Sequence, residues 1–278
     1  AWYDDAAGAS LSKGRVLNRH ITALDRYGVP SMSIDEGERR IYMKPTKRLP
    51  ALEKIFAGGI PVPECLMGRN LLFLPTMKTD KITTINGATR NIFEGILGLE
   101  SKRAGGDIHE AIVESLAVSR QIGASIFSVM DAVFAGEGPN PREIIPHETN
   151  LLLASGDPVA LDAVALRIMG FDPMGTPFIR YAHEAGLGAA DPGEIELIGD
   201  EISDISLGLT IIEPKGARRI QALEQWTHGT VFEPISGFIS LAYHDWYRYM
   251  KFGEKRISDA MRGPWGKVFE NYRRTNSR

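Results

Sequence analysis

Apolar residues along this chain form short runs that alternate with amphipathic stretches. The runs at 70–74, 124–132 and 150–155 are compact and apolar, and they predict buried strands, while 194–199 alternates apolar and polar positions and predicts another strand. The stretches 87–98, 108–122, 158–169 and 177–185 predict helices from their apolar spacing. Alternating strands and helices favour an α/β three-layer sandwich with a mostly parallel or mixed sheet.

The helix predicted over 158–169 has the clearest boundaries. Asp157 is a good N-cap and Pro158 suits the first helical position, whereas Gly170 is a typical C-terminal residue. An apolar stripe with helical spacing predicts the face that turns to the core, and Asp162 beside this stripe is expected at its solvated edge.

The composition changes near Pro214, so we predict an α/β domain over 1–213 and a basic, aromatic and helical extension over 214–278. The extension has 12 Lys and Arg against 6 Asp and Glu, a net charge of +6, while 1–213 carries −9. Trp246 and Tyr249 lie among its basic residues. Three roles stay open: packing over the domain, contact with a protein partner or a second copy in a homo-oligomer, and contact with a membrane surface.

Overall composition excludes several classes of protein. A net charge of −3 gives no reason to expect nucleic acid as a partner. Cys65 is the single cysteine, so this chain alone holds no iron–sulfur cluster. No apolar run reaches the roughly 18 residues of a membrane span, and we expect a cytoplasmic protein. The loops typical of nucleotide cofactors, the HExxH zinc motif and the hydrolase nucleophile elbow do not occur, and His147 has no partner at metal-ligand spacing.

Five motifs follow each other in order between about residues 70 and 202: PTMKTDKIT, GATRNIFEGILG, MDAVFAGEGPNP, SGDPVALDAVALRIMG and GLGAADPGEIELIGDEI. As a set they resemble the domain-of-unknown-function 362 family, whose biochemistry is poorly defined. The chain has Lys78-Thr79-Asp80 where relatives often have Lys-Thr-His, and Arg90-Asn91 where they often have Lys-Asn. It also lacks their cysteine-rich ferredoxin-like module and has a divergent N-terminus, which weakens a redox role.

Polar residues beyond the predicted strands are the candidates for chemistry, because ligands in open α/β sheets bind beyond the carboxyl ends of the strands. Lys78 and Lys81 follow the strand at 70–74 and are suited to hold a carboxylate or phosphate. Asp131 ends the next strand, and Glu137 lies in the Gly-rich stretch after it. These carboxylates are suited to bind a metal or to transfer protons.

Two helices contribute further candidates. Asp107 and Glu110 fit a capping box at the start of the helix 108–122, which puts His109 in its first turn. The positive end of the helix dipole there favours a neutral imidazole, suited to accept a proton or bind metal. Asn91 is suited to hydrogen-bond a ligand, or to join the preceding loop to its helix.

Together these residues predict an enzyme that binds a small anionic substrate, alone or with a divalent Mg²⁺, Ca²⁺ or Mn²⁺ ion. The predicted catalytic residues are His109, Asp131 and Lys78. The residues predicted to bind the substrate are Lys78, Lys81 and Asn91. Asp131 and Glu137 are predicted to bind the metal. The alternative is a non-catalytic binding or assembly subunit that docks through its C-terminal extension. The sequence leaves this choice, and the reaction, open.

Overall fold

A computed structural model describes most of the chain. The described residues are 2–4, 24–33, 39–123, 125–138, 144–212, 219, 223, 226–227, 230–232, 235–236, 238–239 and 242–275. Pro214, where we predicted the domain boundary, lies outside them. The sequence also predicts a helix over about 16–27, and most of its residues lie outside them too. Among these residues, no helix is both long and apolar enough to cross a membrane.

Two compact units make up the fold, and neither is one continuous stretch of chain. Unit 1 comprises residues 1–76, 86–131 and 152–206, and unit 2 comprises 77–85, 132–151 and 207–278. The residues of the predicted extension thus belong to the same compact unit as two segments from the middle of the chain.

Nine strands are described, in three sheets: β1 Trp2–Asp4, β2 Ser31–Ser33, β3 Arg40–Met43, β4 Ile60–Pro63, β5 Asn70–Phe73, β6 Thr76–Asp80, β7 Thr84–Ile85, β8 Ser125–Glu137 and β9 Ile145–Ser155. The largest sheet has the order β5-β8-β6-β7, and β9 also pairs with β8. β5 runs parallel to β8, with Leu72 opposite Phe127, whereas β6 and β7 are antiparallel. The predicted α/β sandwich with a mixed sheet is confirmed.

Helices pack against one another in unit 1: α1 Pro50–Ile55, α2 Ala88–Leu97, α3 Ile108–Ile122, α4 Pro158–Met169 and α5 Pro177–Glu184. Helix α2 contacts α3 and α4, and α5 contacts α3 and α4. Their contacts bury large side chains such as Phe93, Leu116 and Phe178, which supplies the main hydrophobic stabilisation of the unit.

Helix α2 is held at both ends by side chains from distant parts of unit 1. At its N-terminus, the buried Asp162 carboxylate accepts hydrogen bonds from the backbone of Ala88 at 2.6 Å and Thr89 at 2.9 Å. At its C-terminus, Arg40 Nη1 donates to the carbonyls of Ile96 at 3.2 Å and Leu97 at 3.1 Å. A negative group at the N-terminus and a positive group at the C-terminus both complement the helix dipole.

Unit 2 contains the C-terminal helices, as predicted: a π-helical segment Ala242–Gly253, then α6 Glu254–Met261 and α7 Pro264–Thr275. Helix α7 contacts the strands of its own unit. Trp265 Nε1 donates to the side chain of Asn150 in β9, and the Phe269 ring lies 6.4 Å from the Phe134 ring in β8. These contacts fix the helix to the sheet of unit 2.

Two of the predicted elements differ from the structure. β8 does not end at Asp131 but continues to Glu137, because Val133, Phe134 and Ala135 extend its apolar run in spite of the glycines that predicted a loop. Segment 194–199 is not a strand, and Ile198 is 90% exposed. Its alternating pattern has no neighbouring strand to pair with among the described residues.

Candidate functional site

A carboxylate–histidine pair in unit 2 is the clearest arrangement of reactive groups. His147 Nε2 lies 2.8 Å from Oε2 of Glu137, and this contact joins β9 to β8, the strand with which β9 pairs. The other oxygen, Oε1, accepts hydrogen bonds from the Thr210 backbone at 2.9 Å and the Thr210 hydroxyl at 2.7 Å. Both carboxylate oxygens are therefore engaged, which fixes the orientation of the Glu137 carboxylate.

Glu137 is the ionised partner of this pair. Burial raises the pKa of its carboxyl, but the hydrogen bonds from Thr210 and His147 outweigh that effect and hold the pKa below its ordinary value. An ionised Glu137 accepts the hydrogen on Nε2 of His147, so Nδ1 becomes the nitrogen that accepts protons or binds metal. The His147 side chain is 33% exposed, which lets a small molecule reach the ring.

Lys78 and Lys81 lie on β6 and just after it. Lys78 is half-buried, and a Cβ placed on Gly136, the residue before Glu137, would be 3.1 Å from the Lys78 Cβ. Lys81 is exposed in a turn that Asp80 organises, because Asp80 Oδ1 accepts hydrogen bonds from the backbone of Ile82 at 2.8 Å and Thr83 at 2.9 Å. Lys78 is therefore the lysine next to the chain segment that carries Glu137.

Asp131 lies within β8 rather than at its end. It is exposed, and its backbone N–H donates to the carbonyl of Pro75 at 2.8 Å. Asp131 belongs to unit 1 and Glu137 to unit 2, and each carboxylate stays a separate candidate.

His109 and Asn91 belong to the helices of unit 1. The His109 ring is half-buried in the first turn of α3 and stacks on Phe178, with ring centroids 6.1 Å apart. The predicted capping box does not form, because the Asp107 carboxylate contacts Lys54 Nζ at 2.5 Å and makes no cap hydrogen bond. Asn91 Nδ2 donates to the Gly87 carbonyl at 2.8 Å, so it joins the preceding loop to α2.

Both aspartates of the SGDPVALDA motif have structural contacts. Asp157 caps α4 as predicted, with Oδ1 accepting from Val159 N at 2.8 Å, and its Oδ2 accepts from Ala189 N at 2.8 Å. Asp162 is 0% exposed, so the expected solvated edge is wrong. Helices α2 and α5 both contact α4. Asp162, at the polar edge of the apolar stripe of α4, contacts the N-terminus of α2.

A surface pocket of about 260 Å³ in unit 1 borders the same motif. It is lined by Gly156 and Pro158 together with Ser119, Arg120, Gly123, Ser125 and Ile126. Arg120 donates to the Leu187 carbonyl at 2.5 Å. The Asp157 carboxylate already occupies the N-terminal turn of α4, and its charge disfavours an anion there.

No three His, Cys, Asp or Glu side chains among the described residues come together as a group that could hold a metal ion. Glu137 and His147 are a pair of such groups, and a carboxylate hydrogen-bonded to a histidine is the usual support of a histidine that ligates a metal. In this arrangement His147 would be the ligand and Glu137 would orient it.

His147 and Thr210 were not predicted from the sequence. His147 lies ten residues after Glu137, and the pairing of β9 with β8 brings the two together. Thr210 is 73 positions away from Glu137, in a segment with no regular structure. The sequence predicted the strand only from residue 150, whereas β9 begins at Ile145, so no strand pattern pointed to His147.

Fold and motifs define an α/β protein with a mixed sheet and a carboxylate–histidine pair on neighbouring strands. The chain belongs to the domain-of-unknown-function family DUF362, whose family model matches residues 17–167. The match begins well before residue 70, where the resemblance was first expected, and therefore includes the divergent N-terminal region.

One curated relative is the Thylakoid-associated protein sll1697 of Synechocystis sp., which is 29% identical over 121 residues. That alignment covers 41% of this chain and 36% of the relative, so the chain spans about a third of the length of the relative it matches. No solved structure gives a significant match.

Proposed function

We propose that the protein is an enzyme that binds a small anionic substrate in unit 2 and transfers a proton through His147. The observation that carries this proposal is the Glu137–His147 contact at 2.8 Å, with Glu137 anchored by Thr210. A histidine whose tautomer and ring orientation are fixed by a carboxylate is a common general base.

Each residue of the pair has its own role in this proposal. Glu137 is a positioning residue, because its ionised carboxylate orients the imidazole and stabilises the imidazolium formed after proton transfer. Thr210 holds Glu137 in place with two hydrogen bonds. His147 accepts the proton at Nδ1 and is the group in contact with the substrate.

Lys78 supplies the positive charge in this proposal. It lies on β6 in the same unit as His147, and it is half-buried. A partly buried ammonium attracts an anion more strongly than a fully solvated one, because water screens it less. Lys81 is exposed in the neighbouring turn and would contribute less.

The experiment is a ligand titration followed by NMR of the histidine side chains. Inorganic phosphate and a panel of small mono- and dicarboxylates serve as probes for the intact chain. We expect the His147 ring signals to shift on binding, and Lys78→Gln to weaken binding about tenfold, the effect of losing one charge-assisted hydrogen bond. Lys81→Gln is the matched control and should change the affinity by less than about twofold.

A second readout separates positioning from binding. Glu137→Gln should change the tautomer of His147, seen in long-range ¹H–¹⁵N spectra, while the affinity for the anion stays close to that of the wild type. The proposal is wrong if no probe shifts the His147 ring, or if Glu137→Gln leaves the tautomer unchanged.

The rival function is a binding or assembly subunit without turnover. It would use the same anion contacts but not the proton transfer. Saturable binding with no substrate consumed, and with no dependence on His147, would favour this rival over the enzyme.

A further inference from the structure

Large apolar side chains are exposed along the C-terminal part of unit 2. Trp226 is 75% exposed, Phe238 61% and Met250 68%, and Phe232, Tyr247 and Ile257 are also exposed. Exposed apolar side chains that form one patch on a protein surface usually mark a binding site. We name these six residues the 226–257 surface.

Basic side chains stand among these apolar groups. Lys251 Nζ lies 5.3 Å from the centroid of the Tyr247 ring and donates to its hydroxyl at 3.2 Å. Lys251 and Lys255 are both exposed, and the stretch 226–257 has four Lys and Arg against three Asp and Glu, while residues 214–278 as a whole carry a net charge of +6. Within the 226–257 surface, Lys251 and Tyr247 place a positive charge directly beside an exposed aromatic ring.

We propose that the 226–257 surface docks on an anionic lipid bilayer. Trp, Tyr and Phe side chains bury favourably at the boundary between headgroups and acyl chains, and nearby lysines contact the anionic headgroups. Positive charge on the protein and negative charge on the lipid are complementary, and this complementarity selects anionic over zwitterionic membranes.

The lysines favour lipid over a protein partner. Lysine is depleted from the cores of protein–protein interfaces, where its hydrated charge is costly to bury. On a bilayer, the long aliphatic part of a lysine can cover apolar surface while its ammonium stays in the headgroup layer. Lys251 already lies along an exposed aromatic ring, Tyr247, in the manner that such an interface requires.

The docking surface is separate from the contacts that fold unit 2. Trp265 and Phe269 of α7 contact Asn150 and Phe134 of the sheet, and so they anchor the C-terminal helices. Trp226 and Met250 are not needed for this anchoring, because most of their surface is in water. They can be changed without loss of the fold, which makes the proposal testable.

The experiment is co-sedimentation of the full chain with vesicles. We expect binding to vesicles of phosphatidylcholine mixed with phosphatidylglycerol, little binding to phosphatidylcholine alone, and a loss of binding as salt screens the charges. Trp226→Ser with Met250→Ser should lower the bound fraction about tenfold, because two buried apolar side chains are lost. Ile198→Ser, which removes an apolar residue that is 90% exposed in unit 1, is the matched control and should bind as the wild type does.

Charge is tested separately. Lys251→Glu with Lys255→Glu should abolish the preference for anionic lipid, whereas Lys102→Glu, an exposed lysine of unit 1, should not. Circular dichroism checks that each variant is folded. The proposal is overturned if the wild type ignores anionic vesicles, or if the Trp226 and Met250 changes leave binding intact. It is also overturned if those changes instead abolish self-association in sedimentation velocity, since the surface is then a protein interface.

Discussion

Thr89 and Asp162 are joined across two helices, although 73 positions separate them in the chain. The Asp162 carboxylate in α4 accepts hydrogen bonds from both the backbone N–H, at 2.9 Å, and the hydroxyl of Thr89 in α2. It also accepts the backbone N–H of Ala88, so it replaces the N-cap side chain that Gly87 lacks. One buried carboxylate thus caps a helix to which it does not belong.

Removing this cap should destabilise unit 1. We expect Asp162→Ala to lower the free energy of unfolding by about 2–4 kcal/mol, because three donors lose their acceptor in a buried place. Urea unfolding followed by circular dichroism measures the change. Asp191→Ala removes an exposed cap from a short 3₁₀ turn and should cost less than about 1 kcal/mol. Equal losses in the two variants would contradict the central role of Asp162.

Asp162 should also make stability depend on pH. Burial raises the pKa of its carboxyl from 3.8 to about 6. Between these values the folded state binds more protons than the unfolded state, so the contribution of Asp162 to the free energy of unfolding falls as pH rises. The fall amounts to about 3 kcal/mol at most, at 1.4 kcal/mol per pH unit.

The check is the difference in unfolding free energy between wild type and Asp162→Ala, measured from pH 4 to pH 7. This difference cancels the titration of the other carboxylates. It should decrease with rising pH, and a difference that is flat or increases would show that the Asp162 pKa is not raised.

Gly87 should not tolerate a side chain. A Cβ at this position would clash with Asp162 Oδ1. We expect Gly87→Ala to lower the melting temperature by several degrees, equivalent to about 1–3 kcal/mol. Gly106→Ala, with nothing within 4 Å of its Cβ, is the control and should be neutral.

The same clash predicts a specific coupling. In the Asp162→Ala background the obstructing carboxylate is absent, so Gly87→Ala should cost much less than it does in the wild type. A double-mutant cycle measures this coupling. Strictly additive effects would mean that the two residues do not meet.

Trp265 should be the anchor of the C-terminal helices. We expect Trp265→Ala to destabilise unit 2 by about 3 kcal/mol, because it removes an aromatic contact with Phe269 and the hydrogen bond to Asn150. Hydrogen exchange should then become faster in β8 and β9. Trp226→Ala, at a tryptophan that is 75% exposed, should leave both measurements unchanged.

Metal binding by the two predicted carboxylates can be decided separately. We expect Mg²⁺, Ca²⁺ or Mn²⁺ to accompany the protein through mild purification, because oxygen ligands favour these hard ions. Elemental analysis of Asp131→Asn and Glu137→Gln then shows on which of the two carboxylates the bound ion depends. Equal metal content in the wild type and both variants would exclude both as ligands.

Local patterns predicted local structure well. The bounds of α3 and α4 follow from their apolar spacing and from Asp157, Pro158 and Gly170, which act within one or two turns. Asp162 was expected in water because a helical stripe shows which residues share a face but not how many neighbours cover the helix. The burial of α4 on nearly all sides depends on contacts that no local pattern contains.

The candidate site was only partly predictable for a similar reason. Glu137 was singled out by its glycine-rich surroundings, but its partners come from the pairing of β8 with β9 and from the distant Thr210. Pairing between strands depends on the register of the folded sheet. β8 extends to Glu137, whereas the predicted strand ended at Asp131. The partners of Glu137 therefore could not be derived from the predicted strand.

The chain passes between its two units five times, after residues 76, 85, 131, 151 and 206. No single stretch of the gene therefore encodes either unit, and a premature stop before residue 206 leaves both incomplete. Such a protein cannot gain or lose one unit by simple fusion or deletion, as proteins built from consecutive domains do. The two units are therefore inherited together, and a mutation that is favourable in one unit must be compatible with the folding of the other.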